Sequence, residues 1–301
     1  MNQNPTLQAQ SVIYKNDIPS LMKAIANMAN AVRVEREECG YLGRVSLYYG
    51  DASDEPVLTE DQVRRINEEF GEYLDFKYTV FGFNSGSARG QNLLGLESDA
   101  DYILIMNPDV IVSPRFFIEM LYPFQYEGIG LVEARQTPIE HHKQYDPVTM
   151  ETDWATGACA LVPTELFKKI NGYDSDTFFM YCDDVDFSWR LRLLGYKLYY
   201  QPLAPVYHAK RLTHKAGWKP TKAEQYYSAE AALLMAHKWS NPVRVEHLLQ
   251  MYQNSENENH EKAAAHFLEL RAEGKLPTPL DPEHEVAKFV GDYYTENRYI
   301  I

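Results

Sequence analysis

Between residues 11 and 112 short apolar runs alternate with amphipathic stretches, and no other feature of the chain restricts its fold so strongly. SVIY gives way to IPSLMKAIANMANAV, and GRVSLYYG, DQVRRINEEFGEYL and FKYTVF follow in turn. Strand–helix–strand units of this kind build an α/β protein with a mostly parallel central sheet. QNLLGLES reads as the next helix, and the apolar run opening DYILIMNPDVIV as a strand buried on both faces. Pro114 suits the first turn of a helix over FFIEMLYPF, which Pro123 ends or bends.

The pattern continues with GIGLVEARQ, then loses its period in TPIEHHKQYDPVTMETD, a polar loop or hairpin over a cleft. WATGACALVP reads as a strand and PTELFKKING as a short helix closed by Gly172. DVDFSWRLRLLGY forms a further helix stopped at Gly195, and KLYYQPLAPVYH is extended. A first domain is therefore expected over residues 1–215. From KAEQYYSAEAALLMAHKWS onward the pattern is helical, so residues 216–301 read as a C-terminal helical extension. It packs on the first domain, forms an oligomer contact or binds an acceptor, and periodicity does not choose among these.

With 301 residues, 45% of them hydrophobic, the chain can bury a substantial core. Twenty-two tyrosines exceed what that core needs, which places some of them in a cleft. A net charge of −14 opposes broad attachment to nucleic acid or anionic lipid. The cysteines, Cys39, Cys159 and Cys182, are odd in number and lack metal-ligand spacing, so reduced thiols are expected. MNQNPTLQAQ lacks the regions of a secretory signal, and no stretch approaches the ~18 apolar residues of a membrane span. The expectation is a cytoplasmic protein with no transmembrane segment, for which peripheral contact with a membrane-bound acceptor stays open.

Asn107-Pro108-Asp109 follows the apolar run YILIM, at the carboxyl end of a central strand where ligands bind in open α/β sheets. Taken alone, these residue types fit a plain turn better than a site where a carboxylate holds a divalent cation against a diphosphate. In FFMYCDDVDFSWRLRLLGY, Asp183 fits an N-cap, Asp186 a capping-box place, and Asp186 with Arg190 an i,i+4 pair. Asp184 is left over. A helix N-terminus favours its charged form and neighbouring carboxylates oppose it, which poises Asp184 as a general base. His208, in APVYHAKRLTH, is a structural residue or a metal ligand; an imidazole beside carboxylates suits Mn²⁺ better than Mg²⁺.

Taken in order, these segments resemble the family-2 inverting glycosyltransferases, especially rhamnosyl- and galactofuranosyltransferase-like members, over roughly residues 11 to 239. VIYKNDIPSL resembles the family's first strand and turn, and YYGDASDE its "DNASTD" segment. FNSGSARGQNLLGL resembles the "N-x-G-x-A-x-G-x-N" stretch, and YILIMNPDVIVSP the modified metal motif. DWATGACALVPTELFKKINGYDSDTFFMYCDDVDFSWRLRLLGY resembles the acceptor and catalytic block.

The resemblance implies a GT-A fold and transfer of a sugar from a dTDP- or UDP-sugar to a glycan or lipid-linked glycan, as in polysaccharide biosynthesis. It gives Asp184 the role of catalytic base beside Asp183, and Asp109 with His208 the role of holding Mn²⁺ or Mg²⁺, with His214 as an alternative ligand. Tyr14, Asn16, Asn84, Gly86, Ala88, Gly90, Asn92 and Asn107 fall on the donor side, and Trp154, Thr156 and Gly157 shape the donor and acceptor cleft. Arg190 or Arg192 would aid the diphosphate or pair on the helix surface. Gly50 stands where the family's base-binding Asp stands, so Asp51 would serve after a one-residue shift. A sugar-nucleotidyltransferase and a non-catalytic carbohydrate-binding protein are the competing readings; the former lacks its Gly-rich, basic phosphate loop near the N-terminus.

Overall fold

The computed structural model describes residues 4–208 and 220–299. Its strands are β1 (Leu7–Ile13), β2 (Val45–Asp51), β3 (Asp75–Val80), β4 (Tyr102–Met106), β5 (Val110–Val112), β6 (Ile129–Thr137), β7 (Cys159–Pro163) and β8 (Lys197–His208). They form one sheet in the order β3-β2-β1-β4-β7-β6-β8-β5. The sheet is parallel from β3 to β4, as expected. Beyond β4 it is mixed: β7 runs antiparallel to β4 and β6, β5 antiparallel to β8, and only β6 and β8 are parallel. The connection from β6 to β7 carries no crossover helix among the described residues, and a strand that returns without one runs antiparallel.

Helices α1 (Ile18–Glu38), α2 (Glu60–Phe70), α3 (Gly86–Gly95), α4 (Phe116–Leu121), α5 (Thr164–Lys169) and α6 (Asp183–Leu193) cover the sheet. Strand β4 shows how one apolar run serves both faces. Leu104 and Met106 join the core beneath α1, α2 and α4, while Ile103 and Ile105 join the core beneath α3, α5 and α6. Asp17 caps α1 by accepting from Ser20 N–H, and Thr59 with Gln62 forms a capping box on α2, each cap worth about 1 kcal/mol.

α3 starts five residues before the helix expected over residues 91–98. Its glycine-rich first turn looks like a loop by composition, yet Gly86, Ala88 and Gly90 are buried. A Cβ on Gly86, which sits at φ +65°, would meet Phe179 O at 2.4 Å, and one on Gly90 would meet Val12 Cγ2 at 2.5 Å. Close packing demands glycine at both positions, and at Gly86 the left-handed backbone demands it as well.

The chain builds β1, β2 and β3 outward, then places β4 on the other side of β1. That reversal opens a crevice at the carboxyl ends of β1 and β4. Helices α7 (Lys222–Lys238), α8 (Pro242–Gln253) and α9 (Glu258–Ala272) follow. Leu233, Trp239, Leu248 and Phe267 share a buried cluster with Trp154, Phe178, Val185 and Trp189, so these helices pack directly on α6. The rings of Trp189 and Trp239 meet edge to face at 5.1 Å. The cysteines are free. No helix among the described residues is long and apolar enough to cross a membrane.

Candidate active site

A strained turn delivers the carboxylates of α6. Tyr181 and Cys182 hold left-handed backbone at φ 67° and 54°, a conformation that costs about 1–3 kcal/mol for such residues. Cys182 is the N-cap and makes no side-chain cap bond, so Asp183 is the first helical residue and not the cap read from the sequence. Asp186 completes no capping box. It is fully buried, 2.7 Å from Arg190 Nε, 2.6 Å from Lys238 Nζ and 3.1 Å from Trp239 Nε1. Its i,i+4 pairing with Arg190 is the one expected.

Asp184 accepts hydrogen bonds from Gly157 N–H at 3.1 Å and Val185 N–H at 2.9 Å. Burial pushes its carboxyl group above the ordinary carboxylate value, while those N–H groups oppose the rise. Burial, reinforced by the neighbouring charge of Asp184, pushes Asp183 up to about 7.

The partners of Asp184 explain why the strand expected to begin at Trp154 begins only at Cys159. Ala155 N–H donates to Ser188 Oγ, Thr156 N–H to Glu133 Oε1, Gly157 N–H to Asp184 and Ala158 N–H to Thr156 Oγ1. Side chains take four successive donors that a neighbouring strand would need. Thr156 and Gly157 thus reach the site, whereas Trp154 is buried in the core shared with the C-terminal helices.

Asp109 and His208 come together because β5 pairs with the end of β8, with Val110 opposite His208. Asp109 Oδ1 lies 3.5 Å from His208 Nε2, Asn107 Nδ2 lies 3.3 Å from the same nitrogen, and His208 Nδ1 is 3.1 Å from Gln136 Oε1. An Nδ1–H donating to Gln136 leaves the Nε2 lone pair facing Asp109, the tautomer a metal-binding imidazole requires. Oxygen and nitrogen this close can ligate one divalent cation, with diphosphate oxygens completing the shell. Among the described residues no group of three or more His, Cys, Asp or Glu converges as a metal site would. The turn reading of Asn107-Pro108-Asp109 also holds, since Val110 N–H donates to Asn107 O. Asn107 N–H donates to Ala158 O at 2.9 Å, which joins this pair to the Gly157 segment beneath Asp184. His214 lies outside the described residues.

On the donor side, Tyr14 is 45% exposed at the end of β1, and Asn16 Oδ1 accepts from Tyr14 N–H to shape that turn. Asp51 is fully buried and accepts from Ser53 N–H, Val57 N–H and the Tyr78 hydroxyl, so in this packing it organises a loop and offers a nucleotide base no exposed oxygen. A Cβ on Gly50 would stand 2.2 Å from Phe81 Cζ, so the Phe81 ring covers the place where a side chain at position 50 would project. Asn84 is exposed and accepts from Gly86 N–H. Gly86, Ala88 and Gly90 face protein rather than the crevice, and Asn92 clamps Tyr173 by bonds of 2.8 Å to its N–H and O. Arg190 binds Asp186, Ile170 O and Gly172 O, and Arg192 binds Asp153 O and Val286 O, so neither is directed at a diphosphate.

Sequence reasoning missed Phe81, Gln136, Glu133 and Lys143. Glu133 had a signal, as the lone acid within the apolar strand GLVEARQ, where an acid is buried only with a partner. Lys143 had none, because it sits in the aperiodic stretch after β6.

No protein-family model matches the chain. It is 29% identical over 149 residues to rhamnosyltransferase WbbL of Escherichia coli K12, covering 39% of this chain and 54% of the relative. It is 29% identical over 149 residues to the N-acetylglucosaminyl-diphospho-decaprenol L-rhamnosyltransferase of Mycobacterium tuberculosis CDC 1551, covering 47% and 48%. The chain spans about half the length of the curated relatives it matches. The solved mannosyltransferase PcManGT from Pyrobaculum calidifontis, in complex with GDP-Man and Mn²⁺, superposes with a TM-score of 0.58 at 15% identity, over 90% of this chain and 76% of that one. The fold is that of the GT-A glycosyltransferases. Within that class, the sequence is similar to family-2-like sugar transferases that include rhamnosyltransferases.

Proposed function

We propose that the protein is an inverting, metal-dependent glycosyltransferase acting on a nucleoside-diphosphate sugar. The observation that carries this is the joining of Asp109 and His208 to the Asp184 segment through Asn107 and Ala158, at the carboxyl edge of one sheet. Asp184 accepts the proton of the acceptor hydroxyl as that oxygen attacks the anomeric carbon. Gly157 and Val185 N–H groups hold its carboxylate in orientation for that step. Asp109 and His208 would hold a divalent cation, Mn²⁺ or Mg²⁺, which would offset the charge of the departing diphosphate. One displacement inverts the anomeric configuration. Proton NMR of the first-formed product tests this: the inverted anomer is expected, and the retained anomer refutes it.

Two named rhamnosyltransferases among the relatives support a rhamnose-like sugar, for which the family resemblance implies a dTDP or UDP carrier, and the decaprenol-linked substrate of one supports a lipid-linked glycan acceptor. Such an acceptor would bring the protein to the membrane surface. Residues 1–215 then form the transferase domain and residues 216–301 an extension that buttresses α6 and is available for oligomer contacts.

Asp109→Ala is expected to abolish the gain in donor affinity that Mn²⁺ confers while leaving the fold intact, as read by calorimetry with and without the ion. Equal donor affinity in both conditions for the unaltered protein would remove the metal role. Gly50→Asp, which restores the family's usual residue, is expected to destabilise the protein by about 1–3 kcal/mol through collision with Phe81. Adding Phe81→Ala should recover stability; thermal melts in which the single variant matches the unaltered protein would contradict this packing.

A further inference from the structure

Glu133 on β6 and Lys143 in the loop that follows it form an ion pair to which the transfer chemistry has so far assigned no role. Lys143 and Glu133 have side chains 4% and 3% exposed, and Lys143 Nζ donates both to Glu133 Oε2 and to Trp154 O. Lys143 also lies over the Trp154 ring at 4.3 Å. Glu133 Oε1 accepts from Thr156 N–H at 3.2 Å. The pair therefore grips the segment leading to Gly157 at two points, Trp154 O and Thr156 N–H, and the next N–H holds Asp184.

We propose that Lys143 and Glu133 are a positioning pair for Asp184, clamping the Trp154–Gly157 segment and setting the charge balance behind the carboxylate. This rests on the reading of Asp184 as the general base. A buried ion pair is weak as a stabilising device, because desolvating two charges offsets most of their attraction. Its placement under the base gives it another use. Residues 296–298 fix the segment that carries Lys143: Gln144 N–H donates to Glu296 O, Arg298 N–H to His142 O and Arg298 Nε to Lys143 O. Asp184 is thereby tied through Lys143 to residues more than a hundred positions away in sequence.

The other groups facing Asp184 are Asp183 and Cys182 from the start of α6 and Tyr173 from the turn after α5. Lys143 favours the ionised form of Asp184, and each of the two charges is felt at the carboxylate. Removing the cation should make Asp184 harder to ionise, and removing the Glu133 anion should make it easier.

The test compares full-length Lys143→Met, Glu133→Gln and the double variant, using carbon-13 carboxyl NMR to titrate Asp184, whose signal Asp184→Asn identifies. Asp184 is expected to titrate at higher pH in Lys143→Met and at lower pH in Glu133→Gln. In the double variant kcat should fall on the order of ten- to hundred-fold with donor KM unchanged, the signature of a misplaced base. The double variant leaves no buried charge unpaired and so tests the pair without the penalty of an orphaned ion. Single variants in which Asp184 titrates as in the unaltered protein overturn the proposal. So does a folded double variant with unaltered kcat, and so does a double variant that fails to fold, which would assign the pair to stability alone. The titration needs no turnover, so a protein that transfers no sugar refutes the proposed function separately.

Discussion

Asp184→Asn lowers the transfer rate by about 10²- to 10⁴-fold while donor binding stays intact, the expected loss when a positioned general base is removed. The substitution keeps the size of the side chain, but both carboxylate oxygens accept backbone N–H groups, from Gly157 and Val185. An amide offers only one acceptor, so one of these bonds is lost at a cost of about 1 kcal/mol of stability, too little to explain the fall in rate. The pH profile supplies a second reading. Activity requires Asp184 ionised, and burial raises its pKa, so the acidic limb should lie above the usual carboxylate value and the rate should climb with pH through it. That limb should vanish in the variant. Turnover near that of the unaltered protein would remove Asp184 from the role of base.

Lys238→Ala produces the largest expected loss of stability, about 3 kcal/mol, the lower end of the cost of breaking a buried ion pair, because the fully buried Asp186 loses one of its two cations and the partly buried Asp174 loses its own. Lys238 Nζ lies 2.6 Å from both Asp174 Oδ2 and Asp186 Oδ1, and its side chain is 6% exposed. Asp186 keeps Arg190 Nε and Trp239 Nε1, while Asp174 loses its cation. Asp174 and Asp186 bracket the turn at Tyr181 and Cys182, so this one lysine on α7 ties the extension to the turn that presents Asp184. Urea unfolding should show the lowered midpoint, accompanied by reduced turnover. An unchanged midpoint would mean that α7 is not integral to the fold of the site.

Much of this architecture was legible because it rests on local periodicity. The alternation from residue 11 to 112 identifies the parallel half of the sheet, and the apolar run of β4 places Asp109 at its carboxyl end. Where tertiary contacts override local pattern, the reading fails. Trp154–Ala158 has strand-like residues, yet the N–H groups of Ala155, Thr156 and Gly157 bond Ser188, Glu133 and Asp184, partners distant in sequence, and that of Ala158 bonds Thr156. Asp183 looks like a cap because of its residue type, but left-handed Cys182 takes that position. The small residues of α3 resemble a flexible loop, and their reason is the close approach of Phe179 and Val12. The departure at Gly50 was visible as a missing carboxylate; its cause, the Phe81 ring, required the fold.

Sugar transfer is most directly tested by incubating the protein with a panel of nucleotide sugars, with Mn²⁺, with Mg²⁺ and with chelator, and measuring the nucleoside diphosphate released. The expected result is release from one class of donor, dependent on the metal and lost in Asp184→Asn. Pyrophosphate formation from a nucleoside triphosphate and a sugar phosphate would contradict it in favour of a nucleotidyltransferase, and carbohydrate binding with no nucleotide turnover on any donor would contradict catalysis altogether.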